Sequence, residues 1–348
     1  MSKFLVCSEC FNDHGLKIMA YKLGVKSETV CPNCSKKSGY KLDEKTLKDL
    51  AYNFYVRGSM HRVDFGIAPV IQFNRYQYQN NSNIDKNADM NLIEDKLKIG
   101  FFLYAPKDWM VGINEKLKEL QQKDSRKSTI MEIIDLYQTK RLTKDDNFFR
   151  LRKNPSKPKN VLEYDAPPLE KKKDDGRFDF DKFSVMYASQ DLEVCLHESR
   201  VMKKDSLYLA TLSPNEDLKL LDLTEIIEDN KTPFESINQA LYMLFLEDEK
   251  SYEIIRDIAK FVNNKGYDGI IYPSYFSLLK TRGVPFETVY GLSVREIPEY
   301  KEYAESKIIP NIAIFGHPIK ENKVKVKNIN KLNLKKVEYD FTLGPVNY

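Results

Sequence analysis

Four of the five cysteines sit in two Cys-x-x-Cys pairs, Cys7-Ser-Glu-Cys10 and Cys31-Pro-Asn-Cys34, with residues 11–30 between them. In a reducing compartment, cysteines paired at this short spacing point to a metal rather than to disulfides. Each turn presents two thiolates to one ion, and two turns complete the tetrahedral sulfur shell that structural zinc prefers. A closed shell of four sulfurs leaves no position for a substrate, so the site is expected to be structural. Residues 1–42 are too few to fold on an apolar core alone, and the metal would supply the missing stability. A redox pair would be expected inside a thioredoxin-like βαβ pattern, which this segment lacks. His14 is expected to be a bystander. Zinc ribbons also bind nucleic acids or proteins, but residues 1–42 carry no basic-aromatic stripe that selects either use.

The 348 residues suffice for two or three domains. Apolar residues make up 42% and charged residues 30%, an ordinary globular balance. The net charge of +4 is small for this length and gives no independent case for nucleic acid or an anionic membrane as partner. No window approaches the roughly 18 consecutive apolar residues of a membrane span. The opening MSKFLVCSEC lacks the features of a signal peptide, so a cytoplasmic protein without membrane contact is expected.

Leu47, Leu50, Ala51 and Phe54 recur at helical spacing behind Asp43, a candidate N-cap. Residues 57–92, with the asparagine-rich NRYQYQNNSNIDKNADMN, read as a loop or a mobile segment. Residues 93–139 read as helical, with Thr129 and Glu132 as a capping box ahead of an apolar stripe of Ile130, Ile133, Ile134 and Tyr137. These helices are expected to be scaffold. After residue 145 the register changes. Lysine and proline clusters at 152–175 read as exposed loop. Strand patterns follow at 184–189, 206–213, 218–223, 267–274, 311–316 and 323–329, with a helix at 191–202 capped by Ser189 and two helical patterns in 234–264.

Four short stretches in this half place polar residues in apolar settings: Asn147-Phe-Phe-Arg150-Leu-Arg152; Gly176-Arg177-Phe178 with Val185-Met186-Tyr187-Ala188; Cys195-Leu-His-Glu198-Ser-Arg200; and Tyr267-Asp-Gly-Ile-Ile-Tyr272-Pro-Ser274 with Asn311-Ile-Ala-Ile-Phe315. Singly, each has an ordinary surface or strand reading. Taken together and in order, they resemble the RES domain family, named for its arginine, glutamate and serine. The resemblance covers roughly 145–318 and departs from compact members in the stretch 275–310 inserted before Asn311.

The resemblance implies an α+β chain: an ADP-ribosyltransferase-like, split and bent β-core with helices (145–348), preceded by a zinc ribbon (1–42) and a helical region (43–144). It implies NAD+ as substrate, cleaved by water or inorganic phosphate in a toxin or defence effector, with an antitoxin or regulatory protein as a possible partner. It places Arg150, Tyr187, Glu198 and Ser274 in catalysis, and Arg150, Arg177, Tyr187 and Ser274 on the dinucleotide. The residue types suit that chemistry. Nicotinamide leaves as a neutral molecule from an oxocarbenium-like transition state, which needs nearby negative charge rather than a strong nucleophile. Guanidinium groups fork onto diphosphate. Cys195 is expected in the core, because neighbours on a helix do not face each other and His197 therefore cannot activate it. His61, His197 and His317 show no metal spacing. Two alternatives remain open: an ADP-ribosyltransferase acting on a macromolecule, and a zinc-ribbon binding protein with an inactive C-terminal domain.

Overall fold

The computed structural model describes residues 3–63, 66–74, 84–104, 114–168, 176–180, 183–227, 231–232, 234–246, 251–277, 306–337 and 341–346. Most of the inserted stretch 275–310, the centre of the asparagine-rich segment and residues 169–175 of the lysine-rich loop lie outside the described residues. The chain forms two compact units: Met1–Val63 with Ile67–Trp109 and Glu338–Tyr348, and Asp64–Gly66 with Met110–Val337.

In the first unit, β1 (Phe4–Cys7), β2 (Val25–Lys26) and β3 (Tyr40–Asp43) form a sheet in the order β1-β3-β2. Helix α1 (His14–Leu23) is capped by Asp13, whose carboxylate accepts from Leu16 N. Helix α2 (Glu44–Ala51) is capped by Asp43, as the sequence predicts, and continues as a π-helical turn through Val56. Its apolar stripe of Leu47, Leu50, Ala51 and Phe54 is buried. It shares one core with Val6, Phe11 and Leu16 of the cysteine segment and with Ile93 and Phe101 further on. The structure corrects both the reading of 57–92 as a loop or mobile segment and the reading of 93–139 as helical, which the strand Gly100–Leu103 interrupts. Strands β4 (Met60–Val63) and β5 (Gly66–Pro69) pair, β6 (Ile71–Asn74) pairs with β7 (Gly100–Leu103), and α3 (Ala88–Leu97) starts five residues ahead of 93. Strands of four residues are too short to show a period, and their partners lie far along the chain.

In the second unit, α4 (Glu115–Gln121) and α5 (Lys123–Leu136) precede an eight-stranded sheet. Thr129 does not start a helix: α5 begins at Lys123, and the Thr129 hydroxyl bonds back to Ser125 O and to Glu119 Oε2. The polar run Lys123–Ser128 has no apolar residue to mark its helical phase, so only the later stripe was visible, and that stripe is buried as expected. The sheet contains β8 (Thr139–Leu142), β9 (Phe148–Lys153), β10 (Val185–Ser189), β11 (Leu207–Pro214), β12 (Leu218–Asp222), β13 (Gly269–Pro273), β14 (Pro310–Phe315) and β15 (Val324–Leu332). Their order is β15-β11-β9-β10-β14-β13-β12-β8, with β12 and β13 parallel and every other pair antiparallel. Helices α6 (Leu192–Glu198), α7 (Ile237–Leu246) and α8 (Tyr252–Asn264) complete the α+β fold. The parallel pair needs a crossover, and α7 and α8 lie in it. One sheet face buries Phe148, Met186, Ala188, Ala210, Ile271 and Ile312 in a common core. Among the described residues, no helix is long and apolar enough to cross a membrane.

Gly269 opens β13 where its backbone meets β14. A Cβ there would stand 2.1 Å from the carbonyl oxygen of Ala313 and 3.0 Å from Ile314 Cα. Both are backbone atoms of a central strand and cannot swing aside. Gly269→Ala is expected to destabilise the second unit by about 3 kcal/mol, the upper range for overpacking, read as a lower urea midpoint. An unchanged midpoint would show that β13 and β14 can separate at this point.

Candidate active site

The sheet opens between β9 and β10. These strands share a single bridge, Ser189 with Phe149. A continued antiparallel ladder would set Leu151 opposite Tyr187. Instead Arg150 supplies the donor there, from Nη1 to the Tyr187 carbonyl, while Nη2 donates to Asp165 O at 3.0 Å. The Arg150 Nε has no acceptor, although the residue is only 5% exposed. Burial pushes its pKa well below the usual arginine value, and the nearby Arg152 adds to the shift. Arg152 lies two residues along β9, donates to Glu163 O at 2.6 Å and is likewise lowered by burial. Asp165 anchors both arginines: its carboxylate accepts from Ala166 N and Lys320 N, which fixes the carbonyl that they share.

Each residue of Gly176-Arg177-Phe178 has a separate task. A Cβ at Gly176 would lie 2.6 Å from the Tyr187 hydroxyl oxygen and 2.7 Å from Asp179 Oδ2, so any side chain here must displace them. Arg177 donates to Phe245 O at 3.1 Å and lies over the Tyr252 ring. Phe178 is buried against Tyr272 and Phe245 and donates its N–H to the Tyr187 hydroxyl at 2.9 Å. The phenol of Tyr187 is thus held from two sides. Burial raises its pKa, with Asp179 adding to the shift, so it stays protonated at neutral pH.

Glu198 is the last residue of α6. That helix is capped by Asp191, whose carboxylate accepts from Val194 N. Ser189 is not the cap: its hydroxyl donates to Pro310 O and accepts from Asp191 N. The carboxylate of Glu198 accepts two hydrogen bonds on one oxygen, from Ser274 Oγ at 2.8 Å and from Asn311 Nδ2 at 2.6 Å. Among the described residues, nothing donates to Oε2. Tyr272 and Asn311 are Cα partners across β13 and β14, and Asn311 also pairs with Ser189 of β10, so all three share the face that carries Tyr187.

These groups surround one cleft of about 360 Å³. Arg150, Arg177, Tyr187 and Glu198 line it directly, and Ser274 stands behind Glu198 as its donor. All five sequence-predicted residues therefore belong to one constellation. The cleft also takes in Arg152, Tyr252, Tyr272 and Asn311, which the sequence reading did not place in the site. Arg152 was within reach of the period-two rule applied to Arg150. Tyr252 opens a helix with no such signal. Cys195 lines the wall but is 6% exposed, and its thiol donates to Phe149 O. Burial pushes that thiol up to about 12, so it is protonated and inert at neutral pH, as a core cysteine should be. His197 stacks on Phe276 with ring centroids 5.5 Å apart.

In the first unit the four sulfurs of Cys7, Cys10, Cys31 and Cys34 all lie within 4.8 Å of one another. Cys7 is 3.8 Å from Cys10 and 3.5 Å from Cys34, and Cys10 is 3.6 Å from Cys31. Zinc–sulfur bonds of about 2.3 Å in a tetrahedron place sulfurs about 3.8 Å apart. The donor set and its spacing fit a metal ion.

Residues 149–280 match the RES domain family. No curated protein sequence matches the chain. Among solved structures the chain is similar to the crystal structure of the M. tuberculosis MbcT-MbcA toxin-antitoxin complex, at 11% identity and a TM-score of 0.34, over 59% of this chain and 92% of that one.

Proposed function

We propose that the RES domain of this chain binds NAD+ in the cleft between β9 and β10 and cleaves the bond between nicotinamide and ribose. The observation that carries this reading is the orientation of Glu198 by Ser274 and Asn311 in a cleft that also holds Arg150, Arg177 and Tyr187. In the reaction the C1″–N1 bond breaks and its electron pair returns to the positively charged pyridinium nitrogen. Nicotinamide leaves neutral, so no general acid is needed. The ribosyl carbon becomes cationic, and the Glu198 carboxylate stabilises that charge in the transition state. Water or inorganic phosphate then forms the new C1″–O bond. With water, the proton passes to Glu198 or to solvent.

Arg150 lines the cleft, and its buried Nε has no acceptor. Together with Arg177 it suits the diphosphate or an incoming phosphate ion. Tyr187 offers a ring held rigid by its hydrogen bond and by the Gly176 contact, ready to stack on nicotinamide or to meet its ribose. Ser274 acts through Glu198. Such an enzyme would act as a toxin or defence effector, and a protein partner that closes the cleft would restrain it. The four-cysteine site would hold zinc through Cys7, Cys10, Cys31 and Cys34, with a structural role because all four positions come from the protein.

Incubation of the protein with NAD+ in phosphate-free and phosphate-containing buffer tests the reaction and its acceptor. ADP-ribose in the first and ADP-ribose 1″-phosphate in the second would establish phosphorolysis, ADP-ribose in both hydrolysis, and label attached to macromolecules transfer. Asn311 is expected to act as a positioning residue. Asn311→Leu should lower kcat about 10-fold and leave KM within about 3-fold, because misplacing a catalytic group by a fraction of an ångström already slows chemistry. A rise in KM at constant kcat would instead make Asn311 a substrate contact.

Gly176→Ala should act on binding rather than chemistry. The new methyl displaces the Tyr187 hydroxyl, so KM for NAD+ should rise about 10-fold, the cost of about 1.4 kcal/mol of lost binding. An unaltered KM would remove Tyr187 from the substrate site.

A further inference from the structure

Lys41 is a buried charge that plays no part in the cleft. It stands in β3 opposite Cys7 of β1 and is 1% exposed. Its ammonium group donates to backbone carbonyls of one loop: Ser38 at 2.7 Å, Lys37 at 2.8 Å, and Lys36 and Gly39 at 3.3 Å. An ammonium has three N–H groups, so these acceptors saturate it. No carboxylate is among its partners. Lysine is rarely buried without a counter-charge.

The loop that Lys41 gathers is the one that leaves the second cysteine pair. The Lys36 carbonyl also accepts the N–H of Cys31, at 2.9 Å, and the Cys31 carbonyl accepts from Ser35 N. One oxygen is thus shared between the buried ammonium and the amide of a sulfur-bearing residue. At the far end of the loop Gly39 has φ +85°, and a Cβ there would lie 3.4 Å from Cys7 Sγ. The loop is pressed against the sulfur cluster with its carbonyls turned toward Lys41. Four thiolates around a divalent ion leave a net charge of about −2, and Lys41, buried in the strand register opposite Cys7, carries a charge of the opposite sign.

We propose that Lys41 is a positioning residue of the four-sulfur site: it draws the 36–39 carbonyls together, which sets the second cysteine turn, and its charge offsets that of the thiolate shell. The proposal rests on the metal reading given above. The test is zinc competition against a chromogenic chelator with the full-length chain. Lys41→Met keeps the length of the side chain and removes the charge and its donors. It should weaken zinc affinity 10- to 100-fold, the usual cost of losing a partner that orients metal ligands. If the variant is poorly folded without metal, added zinc should restore amide protection in β1 and β3 at a free-zinc midpoint at least 10-fold above wild type. Wild-type affinity in Lys41→Met would overturn the proposal. Failure to regain protection at any zinc concentration would also overturn it, by showing that Lys41 serves the fold alone. A folded wild-type protein that binds no zinc would overturn the metal reading and this proposal together, so the two failures are distinct.

Discussion

Glu198→Gln is expected to lower nicotinamide release by about 10²–10³-fold, the range seen when one preorganised electrostatic contact to a developing charge is lost, with the fold intact. Glutamine has the same shape, and its carbonyl oxygen can still accept from Ser274 Oγ and Asn311 Nδ2. Only the negative charge is removed. The loss should therefore fall more on kcat than on KM, because the positive charge of bound NAD+ sits on the pyridinium and moves onto the ribosyl carbon, next to this position, as the bond breaks. Charge outweighs orientation in this comparison, since the same carboxylate with one donor removed, in Asn311→Leu, loses only about 10-fold by the argument from misplacement. Single-turnover kinetics with unchanged circular dichroism would check it. Undiminished turnover in folded Glu198→Gln would take the carboxylate out of the mechanism.

Replacing a cysteine ligand should have the largest effect on stability. Cys10→Ser would open the four-sulfur site proposed to hold zinc, and a structural zinc contributes on the order of 10 kcal/mol to folding in small zinc domains. That is comparable to the whole margin of a typical domain, about 5–15 kcal/mol. The loss should spread beyond the cysteine turns, because Val6, Phe11 and Leu16 share their core with Leu47 of α2 and Ile93 of α3. Hydrogen exchange should show lost protection in β1, β3 and α1, and zinc content should fall to background. Full protection in a zinc-free Cys10→Ser protein would mean that the apolar core alone holds this unit.

Local patterns carried much of this structure in the sequence. In β13 and β14 the side chains of both sheet faces are buried, so each apolar run is continuous rather than alternating. Asp43 caps α2, and its signal, a short acidic side chain ahead of the stripe that ends at Phe54, is complete within twelve residues. Signals that depend on distant partners were not legible. Strands β6 and β7 pair across the stretch that contains α3, and each is too short to declare itself. In α6, Ser189 and Asp191 are both able to cap, and the choice is decided by the Pro310 carbonyl, which engages the Ser189 hydroxyl. In the cleft, Arg150 and Glu198 stood out because each is a polar residue in an apolar setting. Asn311 as a partner of Glu198, and Tyr252 as a wall, come from the order in which the strands pair and from where α8 begins, which no local window contains.

Every role proposed for the cleft residues depends on cleavage of NAD+ at the nicotinamide–ribose bond. Proton NMR of NAD+ incubated with the purified chain tests this directly. The predicted result is free nicotinamide in equal amount to the NAD+ lost, together with ADP-ribose or its 1″-phosphate. NAD+ left intact by a folded, zinc-loaded protein would contradict it.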